Sequence, residues 1–179
     1  MVDATEIILR LIGAFYAFGG YVVTRWALTS RLLDQALAAL TAEKPKIIEN
    51  LQTLWHLSTA VVVFAGGVML MLLLEAATWM FLLSTAGQAS YLLWLAPRYF
   101  DRADPPDPGG RQKTINAFVL YAAATTFVLW AAFTGKLLSW HDVPWPLLAI
   151  GAAAIAAHAA YAVCIYAKPL GSHGSRMPR

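Results

Sequence analysis

Five apolar segments, each 21 or 22 residues long, dominate this 179-residue chain: roughly 7–28, 54–74, 77–97, 115–135 and 146–167. Each is close to the roughly 20 helical residues needed to cross a hydrocarbon core about 30 Å thick. In lipid the backbone must satisfy its own hydrogen bonds, and a helix does so within one segment. The pattern predicts an all-α integral membrane bundle of five transmembrane helices. Apolar residues make up 59% of the chain and charged ones 13%, about half the charged share of soluble domains. The remaining residues suffice for connections, not for a separate soluble domain. Residues 1–168 are expected to form a single membrane domain, followed by a flexible cytoplasmic tail at 169–179.

The basic residues orient this bundle. Arg25, Arg31, Lys44 and Lys46 follow the first segment; Arg98, Arg102, Arg111 and Lys113 follow the third; Lys168, Arg176 and Arg179 follow the fifth. The other side holds Lys136, with Arg10 near its edge. Lys and Arg are retained in cytoplasmic loops, so the N-terminus is expected outside and the C-terminus inside, in a bacterial cytoplasmic (inner) membrane. The acidic start, Asp3 to Glu6, differs from the basic start of a secretory signal, and the first segment is expected to remain in the mature protein. The net charge of +3 is accounted for by topology and by contact with anionic lipid headgroups. Nucleic acid is not an expected partner. A lone cysteine, Cys164, excludes an intrachain disulfide and a cysteine-rich metal site.

Two connections have readable patterns. Within 29–53, Leu32, Leu33, Ala36, Leu37 and Leu40 recur at three- and four-residue spacing, as do Ile47, Ile48, Leu51 and Leu54. This periodicity predicts two amphipathic helical stretches broken at Thr41–Pro45. They extend helices one and two as a cytoplasmic hairpin or lie on the inner leaflet. The second connection, 98–114, carries prolines, glycines and alternating charges and is expected to be irregular. Tryptophans agree with these assignments: Trp26, Trp55 and Trp94 fall near one interface, Trp79, Trp140 and Trp145 near the other.

At 1.5 Å per helical residue, Tyr16, Gln88, Thr125, Thr126 and His158 all fall near the midplane. Polar groups at that depth tend to face the bundle interior, where they mark a ligand or proton path or bond to a neighbouring helix. These five are the candidate ligand-binding residues, with His158 and Gln88 foremost. His158 sits among small residues, Gly151 to Ala160, which favour close helix approach. Gly13, Ala17, Gly19 and Gly20, with Ala65, Gly66 and Gly67, mark further close-packing faces.

His56 and His158 raise the question of a haem. Two axial imidazoles must approach one iron from opposite faces, yet the helical registers separate these two by about 9 Å in depth, which counts against the pairing. A single-histidine ligand, or a histidine bonded to a quinone, is a further reading. Arg10 is expected to pair with Glu6 or reach Glu75, and His141-Asp142 to cap a helix. Asp101, Asp104 and Asp107 read as a solvated loop. The chain contains no metalloprotease histidine pair, phosphate-binding glycine loop or nucleophile elbow.

Two function classes follow. The first is a non-catalytic accessory or assembly subunit, docked on other membrane proteins or on itself through small-residue helix faces. The second is a protein that binds or transports a small ligand, proton or cofactor at a midplane polar site around Gln88 and His158. An integral membrane enzyme ranks behind both, because no paired acid–base or nucleophile constellation appears.

Overall fold

In the computed structural model, which describes residues 3–41, 47–100 and 108–167, the apolar segments are helical. α1 spans Ala4–Thr41, α2 Ile47–Met71, α3 Ala76–Ser90, α4 Pro108–Phe133 and α5 Trp145–Ala167. α3 runs directly into a π-helical continuation, Tyr91–Phe100, that contains Pro97. A proline removes one donor and crowds the preceding turn, and wider π turns are one way a helix absorbs such a fault. α1, α2, α4 and α5 are each long and apolar enough to cross a membrane. Among the described residues there is no strand, only an isolated parallel bridge between Leu74 and Leu138. The acidic loop residues Asp101, Asp104 and Asp107, most of the Thr41–Pro45 break and the tail 169–179 lie outside the described residues.

The amphipathic stretch after the first apolar segment is the same helix carried further. α1 has 38 residues, about 57 Å at the helical rise and nearly twice a hydrocarbon core. α2 likewise starts ahead of its apolar stretch, so the two form a prolonged helical hairpin.

Glycines bring these two helices together. A Cβ added at Gly67 would sit 2.4 Å from the Ala17 backbone nitrogen, and one at Gly13 would sit 2.7 Å from the Gly67 carbonyl oxygen. At Gly20 the nearest atom would be the Phe64 nitrogen at 2.7 Å. The small-residue faces of α1 and α2 are thus consumed by each other. α3 packs on α2 and α4 on α3, while α5 packs on α2 and, less extensively, on α1. The main core joins Leu9, Leu70, Leu73, Ala77, Phe81, Tyr121, Val128 and Ala131.

The two ends of the bundle are closed by different polar contacts. α2 ends in a left-handed cap at Leu73 (φ 58°), with Leu73 N–H donating to the Leu70 carbonyl and Leu74 N–H to that of Met69. α4 ends the same way at Gly135 (φ 67°), the residue that tolerates this conformation best. Leucine pays roughly 1–2 kcal/mol there, and two features offset the strain. The Leu73 side chain is buried, and its carbonyl accepts the Leu138 N–H at 2.7 Å. Arg10 donates to the Met71 carbonyl at 3.1 Å, capping α2 rather than pairing with Glu6 or Glu75. Asp3 pairs with Lys136 at 2.6 Å. That contact holds the Asp3 carboxyl below its ordinary range and the Lys136 ammonium above its own. At the far end Arg31 donates to the Tyr166 carbonyl, and its guanidinium lies 3.7 Å over the Tyr166 ring. Two arginines of α1 therefore cap the C-termini of two neighbouring helices, where a positive charge suits the helix dipole.

α5 begins at Trp145, with Leu147 N–H bonded to the Pro144 carbonyl. His141-Asp142 is therefore a turn ahead of the helix rather than its cap, and Asp142 N–H bonds back to Ser139. α4 starts at Pro108, earlier than the apolar pattern indicates, because proline is well placed in a first helical turn.

Candidate functional site

A groove of about 380 Å³ opens between α1, α2, the α3–π junction and α4, within the size range of small-molecule sites. α1 supplies Tyr16, Gly19 and Val23, and α2 supplies Trp55, His56, Thr59 and Val63. Gln88 and Tyr91 come from the α-to-π junction, and Thr114, Phe118 and Tyr121 from α4. Its walls are mostly apolar, and one side is open. Both α1 and α2 contribute residues at three- and four-residue spacing, which places them on one face of each helix. The groove exists because α4 packs on α3 without closing onto α1 below Tyr121. Tyr16 and Tyr121, edge-on at 4.9 Å, form its upper wall, and Tyr16 meets the core residue Phe81 edge-on at 5.5 Å behind them.

The polar groups converge at the lower end. The Gln52 amide donates to the Tyr91 hydroxyl at 3.3 Å, Trp55 stacks on Tyr91 at 6.4 Å, and the His56 ring meets Tyr91 edge-on at 5.3 Å. The Gln88 amide donates to Ser84 Oγ at 3.3 Å, and Gln88 lines the groove. The π continuation sets Tyr91 at this position, and π turns recur at functional sites.

The candidate residues divide into three sets. Gln88, Tyr16 and His56 line the groove together. Thr125 lies behind it, buried, with its hydroxyl 2.8 Å from that of Thr85 and donating to the Tyr121 carbonyl. Thr126 is on the exposed side of α4 and bonds back to Ala122. His158 occupies a separate seam between α1, α2 and α5. Its Nε2 is 3.1 Å from Thr24 Oγ1, and its ring stacks on Phe64 at 4.0 Å. Thr24 and His158 are 0% and 7% exposed, so each meets the hydrogen-bonding need of the other.

His56 and His158 therefore face different partners. His158 is level with Phe64, eight residues along α2 from His56, which corresponds to about 12 Å of rise. This geometry does not suit one iron held between them. No group of three or more His, Cys, Asp or Glu residues among the described ones is arranged to hold a metal ion.

Sequence reasoning did not single out Trp55, Tyr91, Phe118 or Tyr121 as wall residues. Aromatic residues are frequent in every helix of this chain, and only the packing distinguishes wall from lipid face. No protein-family model, curated protein or solved structure matches the chain.

Proposed function

We propose that this chain is a membrane-embedded binding protein whose groove receives a small, largely apolar molecule from the surrounding lipid. The observation that carries the reading is the groove itself. Apolar and aromatic side chains form its walls, and His56, Gln88 and Tyr91 supply a few polar groups toward one end, with the Tyr16 hydroxyl at the other. That combination is the usual make-up of a small-molecule site. Within this proposal the fifth crossing is made by α3 with its π continuation, and the basic residues keep the groove's polar end toward the cytoplasm.

Gly19 offers a clean test, because a Cβ there meets nothing within 4 Å. Gly19→Phe should fill the groove without displacing a helix. The expected result is saturable binding of 1-dodecanol to wild-type protein in lipid nanodiscs, lost in Gly19→Phe at unchanged thermal stability. Absence of a saturable component in the wild type would refute the reading.

A second reading, the accessory subunit, rests on α5. Ala149, Ala152, Ala153, Ala156, Ala157 and Ala160 lie exposed on its outer side, and such faces favour close helix contact. Purification in mild detergent should then recover a stoichiometric partner that is lost when Ala153 and Ala157 are replaced by leucine. A protein that purifies alone in both forms would exclude it.

A further inference from the structure

A second cavity, of about 170 Å³, adjoins the groove at His56 and is lined by Trp26, Ala27, Ser30, Asp34, Gln52, Thr53 and His56. His56 lines both cavities. On α1 the lining positions run Tyr16, Gly19, Val23, Ala27, Ser30 and Asp34, a stripe at three- and four-residue spacing. On α2 they run Gln52, His56, Thr59 and Val63 in the same manner. The two cavities are thus consecutive along the α1–α2 seam, and their polarity changes along it. The first is walled mostly by aromatic and aliphatic groups; the second carries hydroxyls, an amide, an indole and a carboxylate.

Charge decides what this gradient suits. Among the described residues, no lysine or arginine lines either cavity, and Asp34 is the one carboxylate that does, with no described residue paired to it. Arg31, one helical turn away, donates to the Tyr166 carbonyl and lies over the Tyr166 ring. An anionic head would meet the Asp34 carboxylate with no cation among the described lining residues to balance it. A cationic head would find that carboxylate and the Trp26 ring, and cations are attracted to the faces of indole rings.

We propose that the natural ligand is a cationic amphiphile, its apolar body in the groove and its ammonium-type head in the Asp34 cavity. This rests on the groove reading above and adds the charge and direction of the ligand. The test uses three probes with one twelve-carbon chain: dodecyltrimethylammonium, 1-dodecanol and dodecyl sulfate. Each is measured by equilibrium binding to the protein in uncharged-lipid nanodiscs, with empty discs subtracted.

The cation should bind about ten-fold more tightly than the alcohol, the size expected of one partly exposed ion pair with a cation–π contact. Asp34→Asn should bring the two within about two-fold, chiefly by weakening the cation. Trp26→Leu should lower the cation's advantage without removing it. Equal binding of cation and alcohol, both abolished by Gly19→Phe, would overturn the charge assignment and leave the groove reading standing. Tightest binding by dodecyl sulfate would overturn it as well. If none of the three binds saturably, both proposals fall together.

Discussion

His158 and Gln88 look alike as isolated polar residues in apolar helices, and their surroundings give them different work. His158 is stacked on Phe64 and bonded to Thr24, so it fastens α5 to the α1–α2 pair. A membrane hydrogen bond contributes about 0.6 kcal/mol on average, and an aromatic stack about 0.5–1.5 kcal/mol. Replacing His158 with alanine should therefore lower stability by about 1–3 kcal/mol once the vacated space is included. Reversible unfolding in detergent micelles measures this, and dodecanol binding should be unchanged. Stability equal to wild type would mean that the Thr24 contact contributes nothing. Gln88→Leu should do the reverse, weakening binding while stability stays within about 1 kcal/mol. Position along the helix was legible from the sequence for both residues. Their partners were not, because which side of a helix meets which neighbour is a property of packing.

At the scale of elements, the α1–α2 hairpin depends on backbone contact at glycine. An added Cβ at Gly67 meets the backbone of Ala17 and Gly13 at 2.4 and 2.6 Å, and backbone cannot swing aside as a side chain can. Gly67→Ala should cost about 1–3 kcal/mol from overpacking, with α1 and α2 forced apart. Gly87→Ala is the control, because nothing lies within 4 Å of its Cβ and alanine is the better helix former by about 1 kcal/mol. Thermal denaturation of the two variants should thus move in opposite directions; a Gly67→Ala protein as stable as wild type would refute the close-packed crossing. The small-residue pattern announced this crossing. Two other features left little trace. The turn after α2 is built from Leu72, Leu73 and Leu74, with no glycine, proline or asparagine to mark it, so the apolar run conceals a left-handed cap. The π continuation carries Pro97 as its only sign, and a proline alone does not distinguish a kink from wider turns.

Across the whole molecule, polarity and packing point the same way. The end where Asp3 meets Lys136, Arg10 meets Met71 and Leu73 meets Leu138 is the end that the basic-residue asymmetry leaves poor in positive charge. The opposite end carries Arg31 on Tyr166 and the Asp34 cavity. If the rule on positive charge governs insertion, the groove's polar end faces the cytoplasmic leaflet and a cationic amphiphile enters from the lipid of that leaflet. Orientation can be read by labelling. Cys164 is exposed and is first replaced by serine. Single cysteines are then placed at the exposed positions His141 and Gln112, in the α4–α5 connection and the first turns of α4. A membrane-impermeant maleimide applied to intact cells should label His141→Cys and should reach Gln112→Cys only after the cells are opened. The opposite pattern would invert the bundle and place the Asp34 cavity on the outer face. The ligand class inferred from Asp34 and Trp26 would survive that inversion, because it depends on what lines the seam and not on which compartment the seam faces. Its route of entry would not.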